Sequence, residues 1–287
     1  MPTLDNIAAT KAILAKYNFH FQKKFGQNFL IDRSVLSGIV EAGNVGPEDF
    51  VVEIGPGIGT MTQYLAESAG QVLAVEIDDK LIPVLQETLG DYDNASVLHQ
   101  DVLTVDFAKI AEERHAGKPL KFVANLPYYI TTPIIMQLLQ NQVPFTSITV
   151  MVQKEVAERM QARPGSKDYG ALSVAVQYYT DPHLDFIVGK GSFIPQPKVD
   201  SAVITLSPKA EALEPQVKPE HMFTVVRAVF NQRRKTLLNA LANGGVLGGD
   251  KEAITEAIRE AGFEPTLRGE GLDLDGFARL TAALYHS

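Results

Sequence analysis

The 287-residue sequence contains no cysteine, which excludes disulfide bonds, thiolate metal sites and a cysteine nucleophile. It also lacks any apolar run near the roughly 18 residues that a membrane-spanning helix needs. Residues 1–5 do not have the charged and then apolar layout of a signal peptide. We therefore expect a cytoplasmic protein with no membrane partner and no bound metal.

Positive charge is scarce overall but concentrated locally. The net charge is −8, which disfavours a protein that binds nucleic acid indiscriminately. Residues 1–35 and 221–240 are nonetheless basic, and the second stretch contains no acidic residue. This segregation predicts a selective binder of a polyanion. The candidate phosphate contacts, each of which could instead belong to a solvated surface, are Lys23, Lys24, Arg227, Arg233, Arg234 and Lys235.

An apolar run at residues 50–54 leads into a glycine-rich segment and then into a helical pattern, which predicts a buried strand, a tight turn and a helix. The glycines are Gly55, Gly57 and Gly59. Glycine lets the backbone approach a ligand closely at a helix N-terminus. A dinucleotide-binding motif would need another glycine at Thr60. With Glu53 in front, the spacing is instead E-x-G-x-G-x-G, the S-adenosylmethionine pattern. The alternative is a plain strand-to-helix corner.

Strand and helix patterns alternate after residue 50, which predicts a parallel sheet wound on both faces, in the Rossmann-like α/β class. Ligands of such sheets bind at the carboxyl ends of the strands. Glu76 ends a strand 21 residues after Gly55 and is placed to accept hydrogen bonds from ribose hydroxyls. Asp101 ends the next strand and could accept from an adenine amino group. An exposed strand-end acid and a turn cap are the respective alternatives.

The fourth strand end carries the motif Asn125-Leu126-Pro127-Tyr128. An exocyclic adenine amine is a poor nucleophile, because its lone pair is delocalised into the ring. An enzyme must therefore draw the nitrogen towards tetrahedral geometry by accepting hydrogen bonds from it. The Asn125 side chain and a backbone carbonyl can accept these bonds, and Tyr128 offers a face on which an extruded base stacks. A proline-containing turn with core tyrosines is the alternative.

Prolines stiffen the loop at residues 191–200 and could keep the Phe193 ring exposed as a second stacking face. The alternative is that Phe193 fills the hydrophobic core beneath the loop. Two strands flank this loop and are expected to pair at the sheet edge. After a proline-containing linker, the sequence pattern predicts only helices, the first of them over residues 222–242. We therefore expect a catalytic domain over 1–208, a linker over 209–219 and a helical domain over 220–287.

Five motifs occur in order along the chain, at residues 24–30, 53–59, 125–128, 193–201 and 230–237. On these motifs the chain resembles the rRNA adenine N6-methyltransferase family over nearly its whole length. The resemblance implies a class I S-adenosyl-L-methionine-dependent methyltransferase sheet followed by a small all-helical C-terminal domain that recognises RNA or the ribosome. It also implies dimethylation at N6 of two adjacent adenosines in the 3′-terminal hairpin of 16S rRNA, within the immature small ribosomal subunit. We expect the enzyme to be a monomer.

The resemblance also implies a role for each matching motif residue. Asn28 and Leu30 would line the methionine end of the cofactor, and Gly55 with Gly57 its middle. Glu76 would bind its ribose and Asp101 its adenine, and Asn125 would contact both the cofactor and the target amine. Leu126 stands where the wider adenine methyltransferase pattern often has proline, but only its backbone carbonyl is needed.

Two other functions stay open at this point. A relative that confers macrolide resistance would methylate one adenosine of the large-subunit RNA, although such proteins tend to be basic and to have a shorter helical tail. An assembly factor that acts mainly by binding immature ribosomal subunits is disfavoured by the intact Asn125 and Tyr128.

Overall fold

The computed structural model of the chain describes residues 4–19, 26–141, 143–210 and 216–285. The chain divides into two compact units. The first comprises Met1–Ala157 and His183–Pro208, and the second comprises Glu158–Pro182 and Lys209–Ser287. Within the described ranges, no helix is long and apolar enough to cross a membrane.

The strands, in chain order, are β1 (Phe29–Leu30), β2 (Phe50–Ile54), β3 (Gln71–Glu76), β4 (Ala95–His99), β5 (Leu120–Asn125), β6 (Phe145–Gln153), β7 (Thr180–Val188), β8 (Phe193–Ile194) and β9 (Ser201–Pro208). The α-helices are α1 (Ile7–Lys16), α2 (Arg33–Ala42), α3 (Thr60–Ser68), α4 (Ile82–Thr88), α5 (Phe107–His115), α6 (Thr131–Gln140), α7 (Lys154–Met160), α8 (Ala171–Tyr179), α9 (Pro219–Asn231), α10 (Leu237–Asn243), α11 (Lys251–Glu260) and α12 (Leu274–Tyr285).

Seven of these strands form one sheet in the order β4-β3-β2-β5-β6-β9-β7. The five strands from β4 to β6 are parallel, and β9 runs antiparallel to β6. All five residues of the central strand β2 are buried, as expected of a strand that helices cover on both faces. The predicted α/β sheet is confirmed, and the two strands around residues 191–200 are neighbours at its edge.

The strand order reverses at β2. The chain leaves β2 for β3 and β4 on one side and returns to β5 and β6 on the other. In register, Ile54 lies beside both Val75 of β3 and Ala124 of β5. The carboxyl ends of these three strands therefore open a crevice at the point where ligands of such sheets bind.

A second, two-stranded sheet closes one side of this crevice. In it, β1 pairs antiparallel with β8, and Leu30 lies opposite Phe193. The Ser192 hydroxyl donates to Asp32 Oδ2 at 2.9 Å, while Asp32 Oδ1 accepts from the Ser34 N–H and caps α2. The start of α2 and the segment at 189–194 are thus held together.

The second unit has its own apolar core, which α9, α10, α11 and α12 share with residues of the segment 158–182. Tyr169 belongs to this core and donates its hydroxyl to the carbonyl of Leu272 at 2.9 Å. The sequence pattern predicts the segment 158–182 as part of the N-terminal domain over 1–208. The difference arises because this segment buries its apolar side chains against helices that lie far along the chain.

The single helix expected over residues 222–242 is two helices. The backbone leaves the helical conformation at Gln232, and α10 begins after Thr236, whose hydroxyl oxygen accepts from the Asn239 N–H. The turn between α9 and α10 contains Arg233, Arg234 and Lys235. The prediction that these cations lie inside one helix is therefore wrong.

Candidate active site

An open cavity lies in the first unit, at the carboxyl ends of β2, β3 and β5. Cofactors of such parallel sheets bind at this position. Ten residues that the sequence analysis selected line it together: Asn28, Leu30, Gly55, Gly57, Glu76, Asp101, Asn125, Leu126, Pro127 and Tyr128. Residues from distant parts of the chain thus meet in one place because parallel strands end at the same edge of the sheet.

The glycine turn forms one wall of the cavity. Gly55 has φ +70°, and a Cβ at that position would meet no protein atom within 4 Å. Gly57 has φ +60°, and its Cβ would come within 2.9 Å of the Phe29 ring. A side chain at either position would be strained by the backbone conformation. At Gly55 it would also project into open space, so the wall leaves room for a ligand against the backbone.

Glu76 ends β3 with only 5% of its surface exposed. Its Oε1 accepts from the Ile77 N–H at 2.9 Å and the Asp78 N–H at 2.8 Å, which fixes the carboxyl group in the cavity wall. Burial raises the pKa of Glu76 to about 6, against the opposing effect of these backbone N–H groups. The carboxylate is therefore charged at neutral pH and oriented as an acceptor.

Glu53 is a binding candidate that the sequence analysis used only as part of the glycine motif. It lines the cavity, is 1% exposed, and neither carboxylate oxygen has a hydrogen-bond partner among the described residues. Burial raises its pKa to about 8, against the opposing effect of the nearby Thr62 hydroxyl and with a smaller contribution from the charge of Glu76. A buried carboxyl group without a partner is costly. Glu53 and Glu76 together fit a ligand that carries an ammonium group and hydroxyls, as S-adenosyl-L-methionine does.

We expect Glu53→Gln to raise the melting temperature of the ligand-free protein by several degrees at pH 8. The folded-state pKa of Glu53 lies above its ordinary value of 4.5. The folded protein therefore holds the Glu53 proton more tightly than the unfolded chain does. The stability that this proton binding contributes is fully present below pH 4.5 and is lost as the pH rises through about 8. Glutamine keeps the shape without this loss. Calorimetric melting temperatures across this pH window test the prediction, with the exposed Glu41→Gln as the control. Melting temperatures of Glu53→Gln and wild type that change with pH in parallel would contradict it.

The Asn125 side chain ends β5 in a defined orientation. Its Nδ2 donates to the carbonyl oxygen of Asn28 at 3.1 Å. Because a carbonyl only accepts, the nitrogen of the amide must face Asn28 and the oxygen must face away from it. No hydrogen bond within the described residues occupies Asn125 Oδ1. The amide is therefore held with one acceptor available to a ligand.

The next three residues follow the end of the strand. The Leu126 N–H donates to the Met151 carbonyl at 3.1 Å, and the Leu126 side chain is 1% exposed. The Pro127 carbonyl accepts from the Ile130 N–H and the Thr131 hydroxyl, both at 3.1 Å. Tyr128 is half-buried in the cavity wall. The turn thus combines a fixed backbone with a partly accessible aromatic ring.

Asp101 caps the short 3-10 turn after it, because its Oδ1 accepts from the Leu103 N–H at 3.0 Å. The turn-cap interpretation therefore holds for one carboxylate oxygen, while the residue also lines the cavity. Asn28 donates its Nδ2 to the Gly26 carbonyl at 3.0 Å, and Leu30 is 4% exposed in the small sheet. The cofactor roles of these three residues stay predictions.

The prediction that Phe193 is held out as a stacking face is wrong for this structure. Its side chain is 1% exposed and packs in the core of the first unit. The reason is the pairing of β8 with β1, which turns Phe193 inward opposite Leu30. Phe193 is the plug beneath the loop that the sequence analysis kept as the alternative.

The predicted phosphate contacts of the second unit differ in their surroundings. Arg233 donates to Glu270 Oε2 at 2.6 Å, to the Lys167 carbonyl at 2.7 Å and to the Ser166 carbonyl at 2.8 Å. Arg227, Arg234 and Lys235 are exposed. The predicted contacts Lys23 and Lys24 lie outside the described residues.

Among the residues that the structure describes, no group of three or more histidine or carboxylate side chains could hold a metal ion.

The family model for ribosomal RNA adenine dimethylase matches residues 18–261 of the chain. Ribosomal RNA small subunit methyltransferase A of Lachnoclostridium phytofermentans is 55% identical over 282 residues, which cover 98% of this chain and 97% of that protein. The protein of the same name from Clostridioides difficile is 47% identical over 281 residues, which cover 98% and 96%.

Solved structures are similar as well. A dimethyladenosine transferase from Plasmodium falciparum aligns with a TM-score of 0.74 and 26% identity, over 88% of this chain and 95% of that one. The 23S rRNA methyltransferase ErmE aligns with a TM-score of 0.66 and 29% identity, over 90% and 99%. Both similarities extend well beyond the sheet that forms the cavity.

Proposed function

Because the chain belongs to the ribosomal RNA adenine dimethylase family, we propose that it transfers methyl groups from S-adenosyl-L-methionine to N6 of two adjacent adenosines in the 3′-terminal hairpin of 16S rRNA. Each adenosine would be dimethylated. The single observation that carries the chemistry is the oriented Asn125 amide of the cavity wall, whose Oδ1 no hydrogen bond from the described residues occupies. The relatives named as small-subunit methyltransferases support the choice of RNA. We place the activity in the cytoplasm, on the immature small subunit, and assign it to a monomer.

The cofactor, when bound, supplies an electrophilic methyl group. Glu76 would accept hydrogen bonds from its ribose hydroxyls. Glu53 is mostly protonated at neutral pH in the ligand-free protein, and the positive charge of the ammonium group would lower its pKa, so that Glu53 binds this group as a carboxylate. The backbone at Gly55 leaves the space that the middle of the ligand needs, and Gly57 continues the same turn beside the Phe29 ring. Asp101 would accept from the adenine amino group at the neighbouring strand end.

Asn125 activates the target amine by accepting a hydrogen bond at Oδ1, and the Leu126 carbonyl would accept a second. Two acceptors draw the two N–H bonds out of the plane of the base, which frees the nitrogen lone pair for attack. No general base is needed before the methyl group moves, because the amine proton becomes acidic only afterwards. Tyr128 would hold the extruded base against its ring.

The two rival functions differ in their substrates. ErmE, named as a 23S rRNA methyltransferase, is 29% identical to this chain, whereas the small-subunit methyltransferase of Lachnoclostridium phytofermentans is 55% identical. The small subunit is therefore the better-supported substrate. An assembly factor acting by binding alone would not need the available acceptor on Asn125.

The direct test incubates the purified protein and S-adenosyl-L-methionine with unmethylated small subunits or, in parallel, with large subunits. Modified adenosines are then mapped by primer extension and mass spectrometry. The proposal expects two adjacent dimethylated adenosines in small-subunit RNA. Methylation of large-subunit RNA alone would favour the macrolide-resistance function, and binding to small subunits without methylation would favour the assembly factor.

We expect the exposed cations Arg227, Arg234 and Lys235 to contact RNA phosphates, together with Lys23 and Lys24. Contacts to phosphates release counterions, so they make the affinity depend on salt. The double variant Arg234→Ala/Lys235→Ala should flatten the slope of log affinity against log salt by about 0.7–0.9 for each phosphate that the variant no longer neutralises. Filter binding of small subunits over a salt series measures this slope.

Arg233 stays in the predicted contact set, but its three hydrogen bonds within the second unit point to an additional stabilising role. The matched control is Lys251→Ala/Arg259→Ala, which removes the same charge from exposed positions of α11. A control that flattens the slope as much as Arg234→Ala/Lys235→Ala would mean that only the overall charge matters. An unchanged slope in Arg234→Ala/Lys235→Ala would mean that these two cations face solvent.

A further inference from the structure

We propose that Ser201 is a positioning residue for methyl transfer, and that it acts by holding the Tyr128 ring through a hydrogen bond between the two hydroxyls. The proposal rests on the function given above and adds a residue to it. The Tyr128 hydroxyl oxygen lies 2.8 Å from Ser201 Oγ. The two residues are 73 positions apart, and so this contact exists only in the folded protein.

Ser201 is a rigid anchor point. It is fully buried, it is the first residue of β9, and it lies opposite Gln153 of β6. The backbone just before it is also fixed, because the Asp200 carbonyl accepts from the Lys154 N–H at 3.0 Å. The Asp200 carboxylate accepts from the Lys190 N–H at 3.2 Å. Ser201 Oγ therefore has little freedom to move.

The Tyr128 ring, by contrast, needs such an anchor. Its backbone belongs to a turn, and its side chain lines the cavity and is only partly buried. Burial raises the pKa of Tyr128 and outweighs the opposing effect of the Ser201 hydrogen bond. The phenol is therefore neutral at physiological pH. Tied at its backbone and at its hydroxyl, the ring has its stacking face held in one orientation.

Stacking itself does not require the hydroxyl, because a phenylalanine ring offers the same aromatic face. The hydroxyl matters only if the orientation of the ring matters for the reaction. A base that is bound but tilted away from the acceptors at Asn125 reacts more slowly. The proposal therefore predicts a loss of rate at saturating substrate and no loss of cofactor affinity.

The test measures single-turnover methylation of unmethylated small subunits by wild type, Ser201→Ala, Tyr128→Phe and the double variant. Each single variant should lower the rate at saturation by about 5- to 10-fold, because one hydrogen bond no longer holds the ring in the productive orientation. The double variant should be no slower than either single variant, because both remove the same bond. Ser201→Thr, which keeps a hydroxyl, should recover most of the rate. Calorimetric affinity for S-adenosyl-L-methionine should be unchanged throughout.

Thr205 provides the matched control, since it lies on the same strand β9 and its hydroxyl donates to Asp185 Oδ2 at 2.8 Å. Thr205→Val should keep the wild-type rate. Tyr128→Phe leaves β9 untouched, so it tests the proposal even if Ser201→Ala folds poorly. Wild-type rates in Tyr128→Phe, or multiplicative losses in the double variant, would overturn the positioning role. An inactive wild type would instead refute the proposed function, and with it the role of Ser201 in that reaction.

Discussion

Asn125→Ala is expected to slow methyl transfer to small-subunit RNA by about 10²–10³-fold, the effect of removing one preorganised polar group from a transition state. The wild-type amide is held by its hydrogen bond to the Asn28 carbonyl, so its oxygen meets the target amine without reorganising. Alanine removes this acceptor and leaves the Asn28 carbonyl without its partner. Single-turnover rates at saturating cofactor and subunits measure the effect.

Asn141→Ala is the control for this prediction, because Asn141 is an exposed residue at the end of α6 that does not line the cavity. It should keep the wild-type rate. Cofactor affinity in Asn125→Ala, measured separately, should fall much less than the rate. A rate within a few fold of wild type in Asn125→Ala would show that the amine is not activated by this side chain.

Glu76→Ala is expected to weaken S-adenosyl-L-methionine binding by at least about 100-fold, since two charge-assisted hydrogen bonds contribute roughly 1.5–3 kcal/mol each. Glu76→Gln should weaken binding by about 10-fold, because a neutral amide oxygen accepts hydrogen bonds more weakly than a carboxylate. Glutamine can still accept from the Ile77 and Asp78 N–H groups, which separates loss of charge from loss of local structure. Isothermal titration calorimetry gives the affinities.

The pH dependence of S-adenosyl-L-methionine binding provides a second test of the role of Glu76. The pKa of Glu76 in the ligand-free protein is about 6, so wild-type affinity should fall as the pH drops below 6, where the carboxyl is protonated and accepts poorly. In Glu76→Gln that fall should be smaller. The exposed Glu113→Ala is the control and should bind as wild type does. NAD should not bind, and unchanged cofactor affinity in Glu76→Ala would refute the assignment of Glu76 to the ribose.

Several features of the site depend on the fold in ways that local sequence patterns do not carry. Phe193 has a pattern equally compatible with a stacking face and a core plug, and its pairing opposite Leu30 decides for the core. In the sequence, Arg233 is one of three adjacent cations. In the structure it donates a hydrogen bond to the carboxylate of Glu270, 37 positions away. The break between α9 and α10 is likewise hidden, because residues 222–242 contain neither glycine nor proline.

The sequence by itself determined the parallel sheet, the glycine turn and the strand-end residues Glu76, Asp101 and Asn125. It could do so because alternating strand and helix patterns are local, and because parallel strands bring their carboxyl ends to one edge. Only the tertiary structure decided which groups are buried without a partner, as in Glu53, and which are tied together, as in Tyr128 and Ser201. Burial and long-range hydrogen bonds depend on packing between segments that are distant in the chain, and no local spacing specifies that packing.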